Sequence, residues 1–258
     1  MAEAAIRVER RGGVARCTLD RPPLNLFEPG LIAALRATFE TLTADPTVRL
    51  AVLTGAGRAF TGGMNVRVLR DLDPVGATAL ITSLHDAIAA VHTAPFPVVA
   101  AVNGHALGAG FELALACDLR IAAAEATFGL PEVRVGVPSV IQAALLPPLV
   151  GPGRAAELLL TGASIGAEQA LAWGLVNRVV ERAALDAEVD AVVDAITACA
   201  PGAVRRQKQL MVRWRESDLP SAVRAGIAAF AASYTTGEPR EGAAAFLEKR
   251  APRFGEPR

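Results

Sequence analysis

The sequence has few of the features that mark several common classes of protein. Among 258 residues there are three cysteines, Cys17, Cys117 and Cys199, and they are too far apart for a CxxC motif or a Cys/His cluster. Their spacing argues against a disulfide framework and against a metal site of the zinc type. Lysine plus arginine equals aspartate plus glutamate at 26 each, so the overall charge gives no reason to expect nucleic-acid or membrane binding.

The sequence also shows no pattern typical of a membrane-spanning helix or a secretory signal peptide. Charged or histidine side chains interrupt every candidate run of about 18 apolar residues, the length that a spanning helix needs. The first residues, MAEAAIRVERRGG, contain no apolar stretch of the signal-peptide type. We therefore expect a soluble, cytoplasmic protein.

Apolar residues make up 52% of the chain, which is enough for a sizeable core, and their spacing predicts a mixture of strands and helices. Gly12 and Gly13 separate two predicted strands and indicate a hairpin. A unit of buried strand, glycine loop and helix then occurs twice, with residues 48–53 and 97–102 as the strands. The stretch FGLPEVRVGVP, which begins at Phe128, is expected to be a loop.

Nearly everything after Ala183 is predicted to be helical, with a break at Pro201-Gly202. We therefore divide the chain into a core at residues 1–198 and a helical region at residues 199–258. Residues 201–258 contain 11 basic and 6 acidic side chains. From composition alone, this excess is either a solvated helical surface or a phosphate-binding surface.

Glu112 is the only charged residue between His105 and Asp118, in the first turn of a helix predicted over residues 109–117. The glycine loop before it, like the loop at residues 54–64, can turn backbone N–H groups outward. These features fit an oxyanion site with a proton-transferring carboxylate. They fit equally well a glutamate that only stabilises the helix start, by about 0.3–1 kcal/mol.

Two other kinds of site find little support. The third glycine of a dinucleotide-binding motif would fall at position 113, which is Leu113, and no G-K-[ST] occurs. Ser139 lies in a predicted loop but without the G-x-S-x-G of a nucleophile elbow. The histidines His85, His92 and His105 offer no pairing with it, and we expect them to be solvated or structurally satisfied.

Several motifs together resemble the enoyl-CoA hydratase/isomerase (crotonase) superfamily. They are RPPLNLF at 21–27, GAGRAFTGGMN at 55–65, AVNGHALGAGFELALACD at 101–118, FGLPE at 128–132 and REGAAAFLEKR at 240–250. The five motifs follow the order and spacing of the family and cover nearly the whole chain.

The resemblance implies an α/β fold, a crotonase-like spiral of repeated ββα units with a C-terminal helical trimerisation region. It implies a homo-oligomer, either a trimer or a dimer of trimers, and an acyl-CoA substrate with no cofactor besides the coenzyme A that carries the acyl group. The backbone N–H groups of Met64 and Ala109 would hold the thioester oxygen. Glu112 would be the water-binding base, and Glu132 the acid that delivers a proton to Cα.

The resemblance also implies the positions that bind the CoA thioester. These are Asn25, Phe27, Ala59, Gly63, Asn65, Gly108, Phe246 and Lys249. Two alternatives stay open. Phe246 is equally compatible with a core position. Arg250, which the resemblance places beside Lys249 near the CoA phosphates, is compatible with ion pairs to Glu248 or Glu241 alone.

Three departures from the family pattern bear on the reaction. Asn65 replaces the usual Asp, Ala109 replaces the usual Gly, and the stretch VRVGVPSVIQ after Glu132 lacks the I-P-G-x-G-G pattern and is one residue shorter. Valine and isoleucine in place of glycine predict a stiffer, more apolar loop around the acyl pocket, at Val137, Val140 and Ile141. We predict an enoyl-CoA hydratase. The alternatives are a crotonase-type isomerase, hydrolase or decarboxylase, or a weakly catalytic acyl-CoA-binding subunit.

Overall fold

A computed structural model describes residues 4–254 of the chain. The paired glycines form the predicted hairpin: β1 (Ile6–Arg11) and β2 (Val14–Leu19) are antiparallel. Gly12 and Gly13 both have positive φ, 56° and 81°, a conformation that glycine adopts at no steric cost.

Two sheets run through the described part of the chain. The other strands are β3 (Leu50–Gly55), β4 (Ala59–Thr61), β5 (Val98–Val102), β6 (His105–Leu107), β7 (Leu119–Ala123), β8 (Thr127–Gly129), β9 (Ser164–Gly166) and β10 (Arg178–Val180). The larger sheet has the order β1-β2-β3-β5-β7-β10 and is parallel from β2 onward. The smaller has the order β4-β6-β8-β9.

Successive strand pairs build a spiral. In each of the pairs β3/β4, β5/β6 and β7/β8, the first strand joins the larger sheet and the second joins the smaller one. Buried Asn103, between β5 and β6, ties adjacent turns together, because its Nδ2 donates to the carbonyl oxygens of Gly55 (2.9 Å) and Gly57 (3.1 Å). The expected ββα spiral is thus confirmed.

The helices are α1 (Pro29–Ala44), α2 (Val66–Leu69), α3 (Pro74–His92), α4 (Ala109–Ala116), α5 (Leu146–Val150), α6 (Pro152–Thr161), α7 (Ala167–Ala172), α8 (Leu185–Thr197), α9 (Pro201–Arg215), α10 (Leu219–Ser233) and α11 (Glu238–Leu247), with 3-10 turns at Pro131–Val135, Gln142–Leu145 and Arg182–Ala184. Two expectations were wrong. The stretch from Phe128 contains the end of β8 and a 3-10 turn rather than loop alone. The helical break expected at Pro201-Gly202 lies instead at residues 198–200, between α8 and α9, and Pro201 begins α9, as suits proline at a first helical position.

The larger sheet is covered on both faces. Residues of α1, α3 and α4 pack on one face, while Leu185, Val189, Val192 and Val193 of α8 pack on the other. Within residues 4–254, α3 is the one helix long and apolar enough to cross a membrane by length and composition alone. It buries Leu84, Ala87, Ile88 and Val91 in the main core, as an amphipathic core helix does.

The C-terminal helices are attached to the core by a buried ion pair. Lys208 of α9 is 3% exposed and donates to Oδ1 of Asp118 at 2.7 Å. By contrast, α10 leaves large apolar side chains on its surface: Leu219, Val223, Ile227 and Phe230 are all exposed, as is Tyr234 at its end. The division at residue 198 stays a prediction.

Candidate active site

Gly108 starts the buried helix α4 and makes room for an acidic side chain. Its φ of 54° and ψ of −130° suit glycine, and its carbonyl oxygen accepts from the amides of Phe111 (2.8 Å) and Glu112 (3.0 Å). A Cβ atom at this position would lie 2.6 Å from Oε1 of Glu132. The carboxylate of Glu132 therefore rests directly against the mouth of α4.

The glycine loop at residues 54–64 packs against the glycine loop that precedes α4. A Cβ at Gly63, whose φ is 85°, would lie 2.4 Å from the carbonyl oxygen of Leu107 and 3.4 Å from the amide nitrogen of Ala109. The two loops that the motifs single out are thus in direct contact, although 46 positions separate Gly63 from Ala109 in the sequence. Only a residue without a side chain permits this approach.

In the glycine loop at residues 54–64, the backbone turns the amide of Met64 away from the neighbouring segment at Phe27. Phe27 and Met64 form a parallel bridge in which the Phe27 amide donates to the Gly63 carbonyl (2.8 Å) and the Asn65 amide donates to the Phe27 carbonyl (2.9 Å). The Met64 amide takes no part, and Ala109 is the first residue of α4, where amides lack an intrahelical partner. Neither amide has a hydrogen-bond acceptor among residues 4–254, so both can serve a ligand.

Glu112 is buried, as its apolar surroundings predict, and is 3% exposed. Its Oε1 accepts from the amide of Ala143 at 2.8 Å. Burial raises the pKa of Glu112 from 4.5 to about 7, and the charge of Glu132 adds to the rise, while hydrogen bonds from the amides of Ala143 and Ile141 oppose it. A carboxyl group with this pKa can both accept and release a proton near neutral pH.

The Glu132 side chain also lies at the mouth of α4, although Glu132 belongs to a different element. It follows β8 in the 3-10 turn Pro131–Val135 and is half-buried. Its Oε2 accepts from Oγ of Ser139 at 2.7 Å, while Oε1 lies against Gly108. The structure therefore brings together Glu112, Glu132 and the loop that carries the Ala109 amide.

The altered loop after Glu132 supports the acids with polar groups. The predicted apolar wall stays a prediction; Val137 and Val140 are exposed, at 39% and 49%. The loop also supplies the amides of Ile141 and Ala143 to Glu112 and the hydroxyl of Ser139 to Glu132. Sequence reasoning missed Ser139 because it tested that residue only as a nucleophile.

Three residues that were predicted to bind the CoA thioester have buried side chains. Asn25, Phe27 and Ala59 are each 0% exposed. The Asn25 amide group donates to the carbonyl oxygens of Ala56 and Ala59, both at 2.9 Å, and its Oδ1 accepts from the Arg21 amide. Asn25 thus holds the glycine loop at residues 54–64 from inside, and none of the three residues presents side-chain surface to a ligand.

The other predicted binding positions differ in their surroundings. Gly63 contacts Leu107 and Ala109, the two neighbours of Gly108 in sequence, while Gly108 itself lies against the carboxylate of Glu132. Asn65 caps α2, since its Oδ1 accepts from the amide of Arg67 at 3.1 Å, and its Nδ2 donates to Glu28. The usual Asp at position 65 is thus replaced by a residue that also caps a helix.

Phe246 and Lys249 lie on the exposed C-terminal surface. Phe246 is 84% exposed, so its interpretation as a core residue is wrong for the single chain. Arg250 pairs with Glu241 and Glu248, as one alternative predicted. The structure does not bring Phe246 or Lys249 into contact with the two glutamates.

The histidines have structural partners, as expected. His85 contacts Gln142, His92 contacts the Ala116 carbonyl oxygen and His105 contacts Thr127. In the part of the chain from 4 to 254, no three His, Cys, Asp or Glu side chains are grouped as a metal site would require.

Comparison with known proteins agrees with this architecture. The family model described as Enoyl-CoA hydratase/isomerase matches residues 9–257. A crystal structure of enoyl-CoA hydratase from Mycobacterium smegmatis has a TM-score of 0.95 and 35% identity, covering 98% of this chain and all of that one. The fold is thus that of a known class of proteins.

The chain belongs to the enoyl-CoA hydratase/isomerase family. Crotonyl-CoA hydratase of Syntrophomonas wolfei is 35% identical, with 98% of this chain and 99% of the relative covered. Carnitinyl-CoA dehydratase of Escherichia coli is 33% identical, with 96% and 97% covered. Relatives of similar identity thus carry the names of different reactions.

Proposed function

We propose that the protein is an enoyl-CoA hydratase, a lyase that adds water across the 2,3 double bond of a 2-enoyl-CoA thioester. The proposal rests mainly on one observation: Glu112 and Glu132 converge on the mouth of α4, beside a free backbone amide. The names of the curated relatives support the same reaction class.

In this mechanism, the amides of Met64 and Ala109 donate to the thioester carbonyl oxygen. Attack of water on Cβ moves negative charge onto that oxygen and forms an enolate. Preorganised amide donors stabilise such charge, and loss of one donor typically costs about 2.7–4 kcal/mol of transition-state stabilisation. Because the donors are backbone groups, the side chains at both positions can vary, which accommodates Met64 and Ala109.

The two glutamates divide the proton transfers between them. Glu112 accepts a proton from water as the oxygen bonds to Cβ, and Glu132 gives a proton to Cα as the enolate collapses. With a pKa of about 7, Glu112 is partly ionised at neutral pH and can return the proton it has taken. Dehydration of a 3-hydroxyacyl-CoA is the same reaction run backwards, which fits the relative named as a dehydratase.

No metal or redox cofactor is needed for this chemistry, and coenzyme A enters only as the carrier of the acyl group. We propose that exposed Phe246 and Lys249 contact the CoA moiety, as the family resemblance implies. The proposed setting is the cytoplasm, with neither nucleic acid nor membrane as a partner.

We also propose that the chain forms a homo-oligomer, a trimer or a dimer of trimers. The exposed apolar side chains of α10 lie at spacings of three and four residues and so share one face. A face of this kind is typical of a protein interface. Sedimentation should show an assembly that Ile227→Glu dissociates, and a monomeric wild type would refute the proposal.

Activity is tested by following the loss of absorbance of the conjugated thioester with 2-enoyl-CoAs of several chain lengths. Glu112→Gln and Glu132→Gln should each lower kcat by about 100-fold or more, while CoA binding persists. Glu157→Gln, at an exposed glutamate of α6, is the matched control. A wild type that binds CoA but hydrates no chain length refutes the assignment, and release of free CoA would favour hydrolysis.

A further inference from the structure

A serine side chain determines how the second glutamate is presented to the site. Ser139 is half-buried, and its Oγ donates to Oε2 of Glu132 at 2.7 Å. A distance of 2.7 Å is typical of an O–H···O hydrogen bond. The other oxygen, Oε1, lies against Gly108 at the mouth of α4.

The chain between the two residues is folded so that this contact can form. Gly136 ends the 3-10 turn with a φ of 85°, and the Val137 amide donates back to the Glu132 carbonyl oxygen at 3.2 Å. The positive φ at Gly136 reverses the chain and returns Ser139 to the side chain of Glu132. The contact is therefore built into the turn.

No other side chain among residues 4–254 donates a hydrogen bond to the Glu132 carboxylate. Arg134, in the same turn, directs its Nε to the carbonyl oxygen of Thr161 at 3.1 Å. Glu112 interacts with Glu132 through its charge and holds its own hydrogen bonds with Ala143 and Ile141. The orientation of the Glu132 carboxylate thus depends on one hydroxyl group.

We propose that Ser139 is a positioning residue, which engages Oε2 of Glu132 and so reserves Oε1 as the oxygen that carries the proton for Cα. This inference rests on the proposed hydration reaction. As the enolate collapses, the Oε1–H bond of Glu132 breaks and a Cα–H bond forms. The resulting carboxylate of Glu132 keeps the hydrogen bond from Ser139 to Oε2. Oε2 therefore does not compete with Oε1 for the proton.

The test combines steady-state kinetics with crystal structures of three variants. Ser139→Ala removes the hydroxyl and should lower kcat about 10- to 100-fold, the range for loss of a hydrogen bond to a charged group. KM should stay within about twofold of wild type, because in this proposal Ser139 acts through Glu132 and not on the substrate. Ser139→Thr keeps a hydroxyl and should restore most of kcat. Val135→Ala, which trims an exposed side chain of the same turn, should leave both constants unchanged.

The structures separate this inference from the proposed function. In Ser139→Ala, the Glu132 carboxylate should no longer hold its place beside Gly108, and in Ser139→Thr it should. An unchanged carboxylate in Ser139→Ala, or an unchanged kcat, overturns the role of Ser139 while hydration stands. If the wild type hydrates no enoyl-CoA, the proposed function and the catalytic part of this inference fail together. The structures then still decide whether Ser139 orients Glu132.

Discussion

The buried carboxylate of Glu112 should make the protein less stable as the pH rises. Its pKa is raised by burial from 4.5 to about 7 in the folded chain. Between these pH values the folded state binds a proton that the unfolded state has released. The stabilisation is therefore complete below pH 4.5 and is lost as the pH rises through about 7.

The size of this effect follows from the two pKa values. At about 1.36 kcal/mol per pKa unit, the rise from 4.5 to about 7 corresponds to about 3 kcal/mol in total. Integrated between about pH 5 and pH 8, the loss of stability is about 2–3 kcal/mol. Glu112→Gln removes the titration and keeps an oxygen that can accept from the Ala143 amide, so the variant should escape this loss.

Urea unfolding of wild type and Glu112→Gln at pH 5 and pH 8 measures the difference. Other titrating groups are common to both proteins, so their contributions cancel when the two pH-dependent changes are subtracted. All samples need one protein concentration, because an oligomer gains stability from association. Glu157→Gln should follow wild type, and parallel curves for wild type and Glu112→Gln would refute the reasoning.

Three further substitutions test the framework of the site. Gly108→Ala should lower kcat about 10-fold or more and cost about 1–3 kcal/mol of stability, because its Cβ would meet Oε1 of Glu132; unaltered kinetics would contradict this contact. Asn25→Ala should lower the free energy of unfolding by about 2–4 kcal/mol, since buried carbonyl groups lose their donor. Lys208→Met leaves Asp118 without its cation and should cost about 3–5 kcal/mol, and a neutral result in urea unfolding would exclude a structural role for the pair.

Local patterns in the sequence were enough to predict much of the fold. The glycine pair at 12–13 predicted the hairpin, because two adjacent residues with positive φ suit a tight turn between strands. The apolar spacing of residues 76–92 predicts a helix with Ala77, Leu80, Ile81, Leu84, Ile88 and Val91 on one face. Of these, α3 buries Leu84, Ile88 and Val91. The stretch after Phe128 was harder, since a three-residue strand and a 3-10 turn are too short to show a periodic pattern.

In the candidate site, too, the sequence predicted some features and missed others. Motif resemblance selected Glu112, Glu132, Met64 and Ala109, and the structure assembles the two acids and the glycine loops at one place. A motif position does not reveal which way a side chain points, so the motif gave no sign that the Asn25 side chain is buried. Asn25 turns inward, where its amide group holds the loop.

By itself, the sequence determined which segments become strands, helices and glycine turns, because these depend on neighbouring residues and on backbone preferences that a short window contains. Only the tertiary structure decided that Glu132, after β8, rests against Gly108 and affects Glu112 of α4 through its charge, and that Ser139 holds Glu132. Such contacts join residues that are distant along the chain. Their distances and burial, and therefore the raised pKa of Glu112, exist only once the spiral has closed around them.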